Sequence, residues 1–135
     1  MIAVKMPRAL VNELLHQAQL GADCEICGLI GARDGVAQHC YPVPNTAVEP
    51  QQRFIMDPKT QIDALRQMRA CGETLFAIYH SHPTAPAAPS MMDRNEAGYP
   101  EALYLIISLN TKGVLEMRGF YIQGEDVAEV ALELG

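Results

Sequence analysis

Residues 74–82 read TLFAIYHSH, and the chain continues through PTAPAAPSMMD at 83–93. The run from Leu75 to Tyr79 is apolar throughout, as in a strand covered on both faces, and it ends in two histidines one residue apart. Side chains alternate along a strand, so His80 and His82 share a face and aim two imidazoles at one point. Pro83, Pro86 and Pro89 keep the next segment out of regular structure, which lets it turn back toward the histidines. A short helix is predicted from Ser90 to about Ala97. Asp93 then falls on the same side of its first turn as Ser90 and can supply a third ligand. Two neutral imidazoles and one carboxylate leave the fourth position of a tetrahedral Zn²⁺ open to water, which marks a catalytic rather than a structural site. Such an ion lowers the pKa of its water to about 7.

Working outward, IAVKM at 2–6 alternates as a first strand, and Pro7 opens a helix whose Leu10, Val11, Leu14, Leu15 and Ala18 recur at helical spacing up to about Leu20. CEICGLIG (24–31) and VAQHCYPV (36–43) read as antiparallel strands joined through ARDG, whose Asp-Gly favours a tight turn. PNTAVEPQQ (44–52) is a polar loop and RFIM (53–56) a brief strand. Asp57 and Pro58 form an N-cap and first helical residue, and Ile62, Leu65, Met68 and Arg69 carry that helix to about Ala70 before Gly72 ends it. LYLIISL (103–109) is a buried strand and VLEMRGFYIQ (114–123) an amphipathic one, while DVAEVALEL (126–134) fits either helix or strand. The sum is one mixed α/β domain over residues 1–135, a central sheet with helices packed on it.

A net charge of −6, from sixteen acids against ten bases with no basic stripe, argues against nucleic acid as a partner. At 49% hydrophobic and 19% charged residues the composition is that of a packed globular chain. The N-terminus lacks a secretory pattern and no apolar run is long enough to span a bilayer, so the expected location is cytoplasmic and the four cysteines are expected to be reduced.

Glu25 is conspicuous in CEICGLIG, because a buried carboxylate without a partner is costly. A hydrogen bond to the metal's water would account for it, and Glu25 would then take that water's proton and pass it to the leaving amine. Against these readings stand plainer ones: Ser90 is also an ordinary N-cap, Glu25 can be a charge at a strand end, and His16 and His39 read as core or surface residues. Cys24 and Cys27, three apart on an extended chain, face opposite sides and read as packing residues. There is no HExxH and no phosphate-binding glycine loop.

Glu25 upstream, followed by HSHPTAPAAPSMMD, resembles the signature of the JAMM (MPN+, Mov34/PAD-1) metalloproteases: a glutamate, His-x-His, seven residues, Ser, two residues, Asp. The resemblance implies a cytidine-deaminase-like (JAB1/MPN) α/β fold and one Zn²⁺ held by His80, His82 and Asp93. It implies Glu25 as general acid/base and Ser90 as the donor to the oxyanion. It also implies hydrolysis after the C-terminal Gly-Gly of ubiquitin or a ubiquitin-like protein. Only GYPEA (98–102) separates the short helix from the next strand, which matches the minimal prokaryotic form. Small bacterial members of the family include enzymes that release cysteine or another amino acid from a ubiquitin-like sulfur-carrier protein, and that is the expected partner. The alternatives are a zinc-stabilised module that binds carrier tails without cutting them, and a hydrolase of cell-wall or phage-tail peptides.

Overall fold

The computed structural model describes residues 1–110 and 115–135. Its elements are β1 (Ala3–Met6), α1 (Arg8–Leu20), β2 (Cys27–Arg33), β3 (Val36–Val43), α2 (Pro58–Ala70), β4 (Thr74–His82), α3 (Met91–Glu96), β5 (Leu103–Ser108), β6 (Glu116–Gln123) and β7 (Asp126–Leu134). The seven strands form one sheet in the order β1-β7-β6-β5-β4-β2-β3. β1 with β7 and β4 with β5 pair parallel, and the other neighbours pair antiparallel.

Side-chain alternation assigns the helices to opposite faces of the sheet. Leu103, Leu105 and Ile107 of β5 pack with Leu10, Val11, Leu14 and Ala18 of α1. Tyr104 and Ile106 pack with Ala64 and Met68 of α2. All six residues of β5 are buried, and truncating any of its large side chains to Ala is worth about 2–5 kcal/mol. On β4, Ala77 and Tyr79 join the α1 side and Ile78 the α2 side. By the same alternation His80 and His82 fall on the α2 side and Ser81 on the other.

Local signals acted as their chemistry dictates. Asp34 (φ 52°) and Gly35 (φ 78°) make the β2–β3 turn, the two positive φ values that a two-residue turn matched to strand twist requires. Asp57 caps α2, its carboxylate accepting from Thr60 N at 3.0 Å, and Pro58 is the first helical residue. Pro7 sits one place outside α1, as its N-cap residue.

Three expectations are corrected and one open choice is decided. RFIM is not a strand: only an isolated bridge, Asn45 to Met56, forms there, because the segment is held by side-chain bonds to Asn45 instead of by a ladder. Cys24 and Glu25 precede β2, which starts at Cys27, so no strand alternation governs the two cysteines. Cys27 is nonetheless a packing residue, buried, its thiol donating to Val43 O at 3.3 Å and pushed up to about 12 by burial and the nearby Glu25. Ile62 is half exposed; α2 faces the core through Ala64 and Met68, with Leu65 beside them. DVAEVALEL resolves as strand β7, paired with β6 and β1. In VLEMRGFYIQ, the start at Val114 lies outside the described residues. No described helix is long and apolar enough to cross a membrane.

Candidate functional site

β4 ends between β2 and β5, and its last residues carry the two imidazoles into the protein at 1% and 3% exposure. His80 Nε2 and His82 Nε2 stand 3.1 Å apart. Asp93 Oδ2 lies 3.2 Å from the first and 3.1 Å from the second. Donors around a tetrahedral ion at about 2.0–2.1 Å are separated by about 3.3 Å along each edge, so this triangle has the size of one face of such a site.

Each donor is oriented from behind. His82 Nδ1 lies 2.8 Å from Pro86 O; a carbonyl only accepts, so Nδ1 carries the proton and the neutral ring turns its Nε2 lone pair inward. The proline-broken loop therefore fixes a tautomer as well as a path. Phe54 stacks on the His80 ring, centroids 4.4 Å apart. Ser90 and Asp93 form a capping box at the start of α3: Asp93 N donates to Ser90 Oγ at 3.0 Å, and Ser90 N donates to Asp93 Oδ2 at 2.9 Å. Ser90 Oγ thus accepts one bond and keeps its own O–H to give.

Glu25 completes the cluster. It is 4% exposed, and it offers an oxygen that, with one nitrogen from each imidazole, forms a group within 4.8 Å of one another. Two carboxylates therefore face the imidazoles. Asp93 touches both rings directly, whereas Glu25 stands at a distance that suits an intervening water. Glu25 Oε1 and His80 Nδ1 are buried with no hydrogen-bond partner among the described residues. Polar atoms left so are rare because each costs about 1–3 kcal/mol; the unpartnered Glu25 oxygen beside two convergent imidazoles fits a metal site, whereas His80 Nδ1 is the ring nitrogen away from Asp93 and has no partner behind it.

The electrostatics agree. Burial pushes the Glu25 carboxyl up to about 8, with His82 pulling the other way and Asp93 adding to the rise. Burial lowers His80. For His82 burial is outweighed by its bonds to Asp93 and Pro86, which raise it. For Asp93 burial is outweighed by the bonds from both histidines, which hold its carboxyl well below the usual carboxylate range.

The structure thus brings together Glu25, His80, His82, Ser90 and Asp93, and leaves His16 and Cys24 outside. Several supporting residues escaped the sequence. Ser81, between the histidines, takes a bond from Ile26 N to its Oγ at 2.9 Å and donates its own N to Ile26 O at 3.0 Å, anchoring the residue after Glu25. Asn45 donates to Glu25 O and Arg53 O and accepts from Ala47 N and Ile55 N, all at 3.0 Å. Glu25 N donates to Pro50 O at 2.7 Å. The 44–56 segment is thereby tied to Glu25. Only the polar, proline-flanked composition of that loop hinted at a special role.

The family described as prokaryotic homologs of the JAB domain matches residues 7–120. The chain belongs to this family. It is 35% identical over 132 residues to a probable TtuB-protein conjugate cleaving protease of Thermus thermophilus, covering 97% of this chain and 84% of that one. It is 34% identical over 105 residues to the desampylase of Haloferax volcanii (72% and 74% covered). It is 30% identical over 121 residues to the CysO-cysteine peptidase of Mycobacterium tuberculosis (89% and 83%). Among solved structures, a Desulfitobacterium hafniense protein superposes with TM-score 0.87 at 34% identity over 98% of this chain and 92% of that one. A JAB1/MPN domain protein from Archaeoglobus fulgidus gives 0.65 at 20% identity, 97% and 98% covered. The mixed sheet flanked by helices is the JAB1/MPN fold.

Proposed function

We propose that this chain, a metallopeptidase of the JAMM type acting as one domain over residues 1–135, hydrolyses the amide bond that follows the C-terminal Gly-Gly of a ubiquitin-like sulfur-carrier protein, releasing cysteine or another amino acid. The observation that carries the reading is the convergence of His80, His82 and Asp93 within 3.2 Å, with the buried and unpartnered Glu25 beside them. Cleavage in kind is supported by the relatives, which are named for a conjugate-cleaving protease, a desampylase and a peptidase that acts on CysO-cysteine.

In this reading His80, His82 and Asp93 hold one Zn²⁺, which when bound supplies Lewis-acid activation of water at neutral pH. Glu25 is the proton carrier. Its carboxyl, raised to about 8 without a cation nearby, is brought down by a positive charge at the imidazole pair and so becomes an acceptor near neutrality. It takes the proton of the attacking water and passes it to the amine that leaves. Ser90 donates its free O–H to the oxygen that becomes negative in the transition state. The cavity at His80 and Asp93 is small, about 30 Å³, and a diglycine tail, having no side chains, is the substrate end that such a confined site obstructs least.

The test is to mix the zinc-loaded protein with a carrier bearing Gly-Gly and one further amino acid and to follow the mass of the carrier. Loss of that residue is expected, and Glu25→Gln is expected to keep zinc and lose turnover. With zinc occupancy established, no cleavage of any such adduct rejects the proposal.

A further inference from the structure

The small cavity beside His80 and Asp93 has a lining that the chemistry above does not use: Arg53, Phe54, Met92, Glu96, Ala97 and Tyr104. Across Phe54, Glu96 and Tyr104 it adjoins a wider space of about 240 Å³ that reaches Gln61 and Tyr99. Among the described residues lining these two spaces, Arg53 is the one lysine or arginine. Its position is fixed: Asn45 holds Arg53 O at 3.0 Å, Arg53 N donates to Glu49 O at 3.2 Å, and the next residue is the Phe54 that stacks on His80.

The guanidinium is only partly engaged. Nη2 donates to Glu96 Oε1 at 2.6 Å, but Nε is buried with no partner. A half-exposed ion pair such as this one contributes little to stability, so folding alone gives no reason to bury the rest of the fork. Asp93 and Glu96 line the same cavity as Arg53, so a substrate whose last residue ends in a free carboxylate meets two carboxylates there, and Arg53 is the protein cation placed to offset them. An arginine fork matches a carboxylate in shape and charge.

We propose that Arg53 receives the α-carboxylate of the residue being released, so that the enzyme favours removal of a single C-terminal amino acid over cleavage of an internal amide or a lysine isopeptide bond. The inference rests on the peptidase reading above. The bond broken is the last C–N amide: the oxygen of water goes to the carrier's carbonyl carbon, and the released amine takes the proton. Glu96 competes for the guanidinium and yields part of it when the substrate carboxylate arrives.

The experiment uses the zinc-loaded full chain and two substrates that differ in one group. One is a Gly-Gly-terminated ubiquitin-like protein with a single cysteine appended as the free acid, and the other is the same protein with that cysteine as the carboxamide. Wild type is expected to favour the acid in kcat/KM on the order of tenfold to a hundredfold, the usual worth of a hydrogen bond to a charged group. Arg53→Met is expected to collapse that ratio toward one, whatever its absolute rates, and Glu96→Gln to widen it. A wild-type ratio near one, or an Arg53→Met ratio equal to that of wild type, overturns the role of Arg53 while leaving the peptidase reading intact. Cleavage of neither substrate overturns both.

Discussion

Two buried glutamates on the α2 side of the sheet have opposite fates. Glu73, 5% exposed, spends both its oxygens: His39 Nδ1 pairs with Oε2 and the Tyr41 hydroxyl donates to Oε1 at 2.9 Å. Room for it comes from Gly31, where a Cβ would lie 2.2 Å from Oε1. Glu25, equally buried, has an oxygen with no partner and stands near two imidazoles instead of one. Both clusters hold a glutamate and histidine, yet only one leaves polar capacity unspent. A buried carboxylate that is satisfied by its neighbours is accounted for by the fold, and one that is not is a functional-site candidate.

The sharpest way to break this contrast is to exchange the carboxylates for amides. Glu25→Gln is expected to lower kcat by about 10²–10⁴, the usual share of general acid–base catalysis, while metal content measured by elemental analysis stays at one equivalent. Unchanged turnover would return Glu25 to the structural class. Ser90→Ala is expected to cost about 10²–10³ in kcat together with about 1 kcal/mol of stability from the lost helix cap. A stability loss without a rate loss limits Ser90 to capping. Glu73→Gln sharpens the comparison from the other side. A neutral amide replaces the carboxylate that accepts both bonds, so chemical denaturation should show a loss of about 1–3 kcal/mol, with metal content and kcat/KM as in wild type. A drop in metal binding would tie Glu73 to the site.

The smallest expected effect is a pH slope. In the metal-free protein the Glu25 carboxyl is raised from 4.5 to about 8, so the folded state binds a proton that the unfolded chain releases earlier. Its contribution to stability is fully present below the ordinary carboxylate value and is lost as pH rises through about 8. The urea midpoint of metal-free wild type relative to metal-free Glu25→Gln should therefore fall across that window. A relative midpoint that rises or stays flat contradicts the shift.

What the sequence disclosed is what local chemistry decides. The Asp34-Gly35 turn, the Asp57 cap of α2 and the His80/His82 face of β4 each depend on residues within a few positions, and each formed where its pattern requires. The constellation of Glu25, His80, His82, Ser90 and Asp93 was legible because four of the five lie within fourteen residues of one another. The remainder depends on distant pairs. Asn45 gathers Glu25, Arg53 and Ile55 into one place, and no periodicity records such a hub. The same hub explains why 53–56 is not a strand and why Glu25 is buried ahead of β2. The apolar face of α2 is Ala64 and Met68 with the expected Leu65 beside them, while Ile62 is half exposed.

The central claim is that His80, His82 and Asp93 together hold one metal ion. Titrating metal-free protein with Zn²⁺ by calorimetry, alongside His82→Ala and Asp93→Ala, tests it directly. One equivalent bound by wild type, with affinity lost in both variants, is the result expected. No uptake by wild type, or binding of the same strength after either ligand is removed, would contradict it.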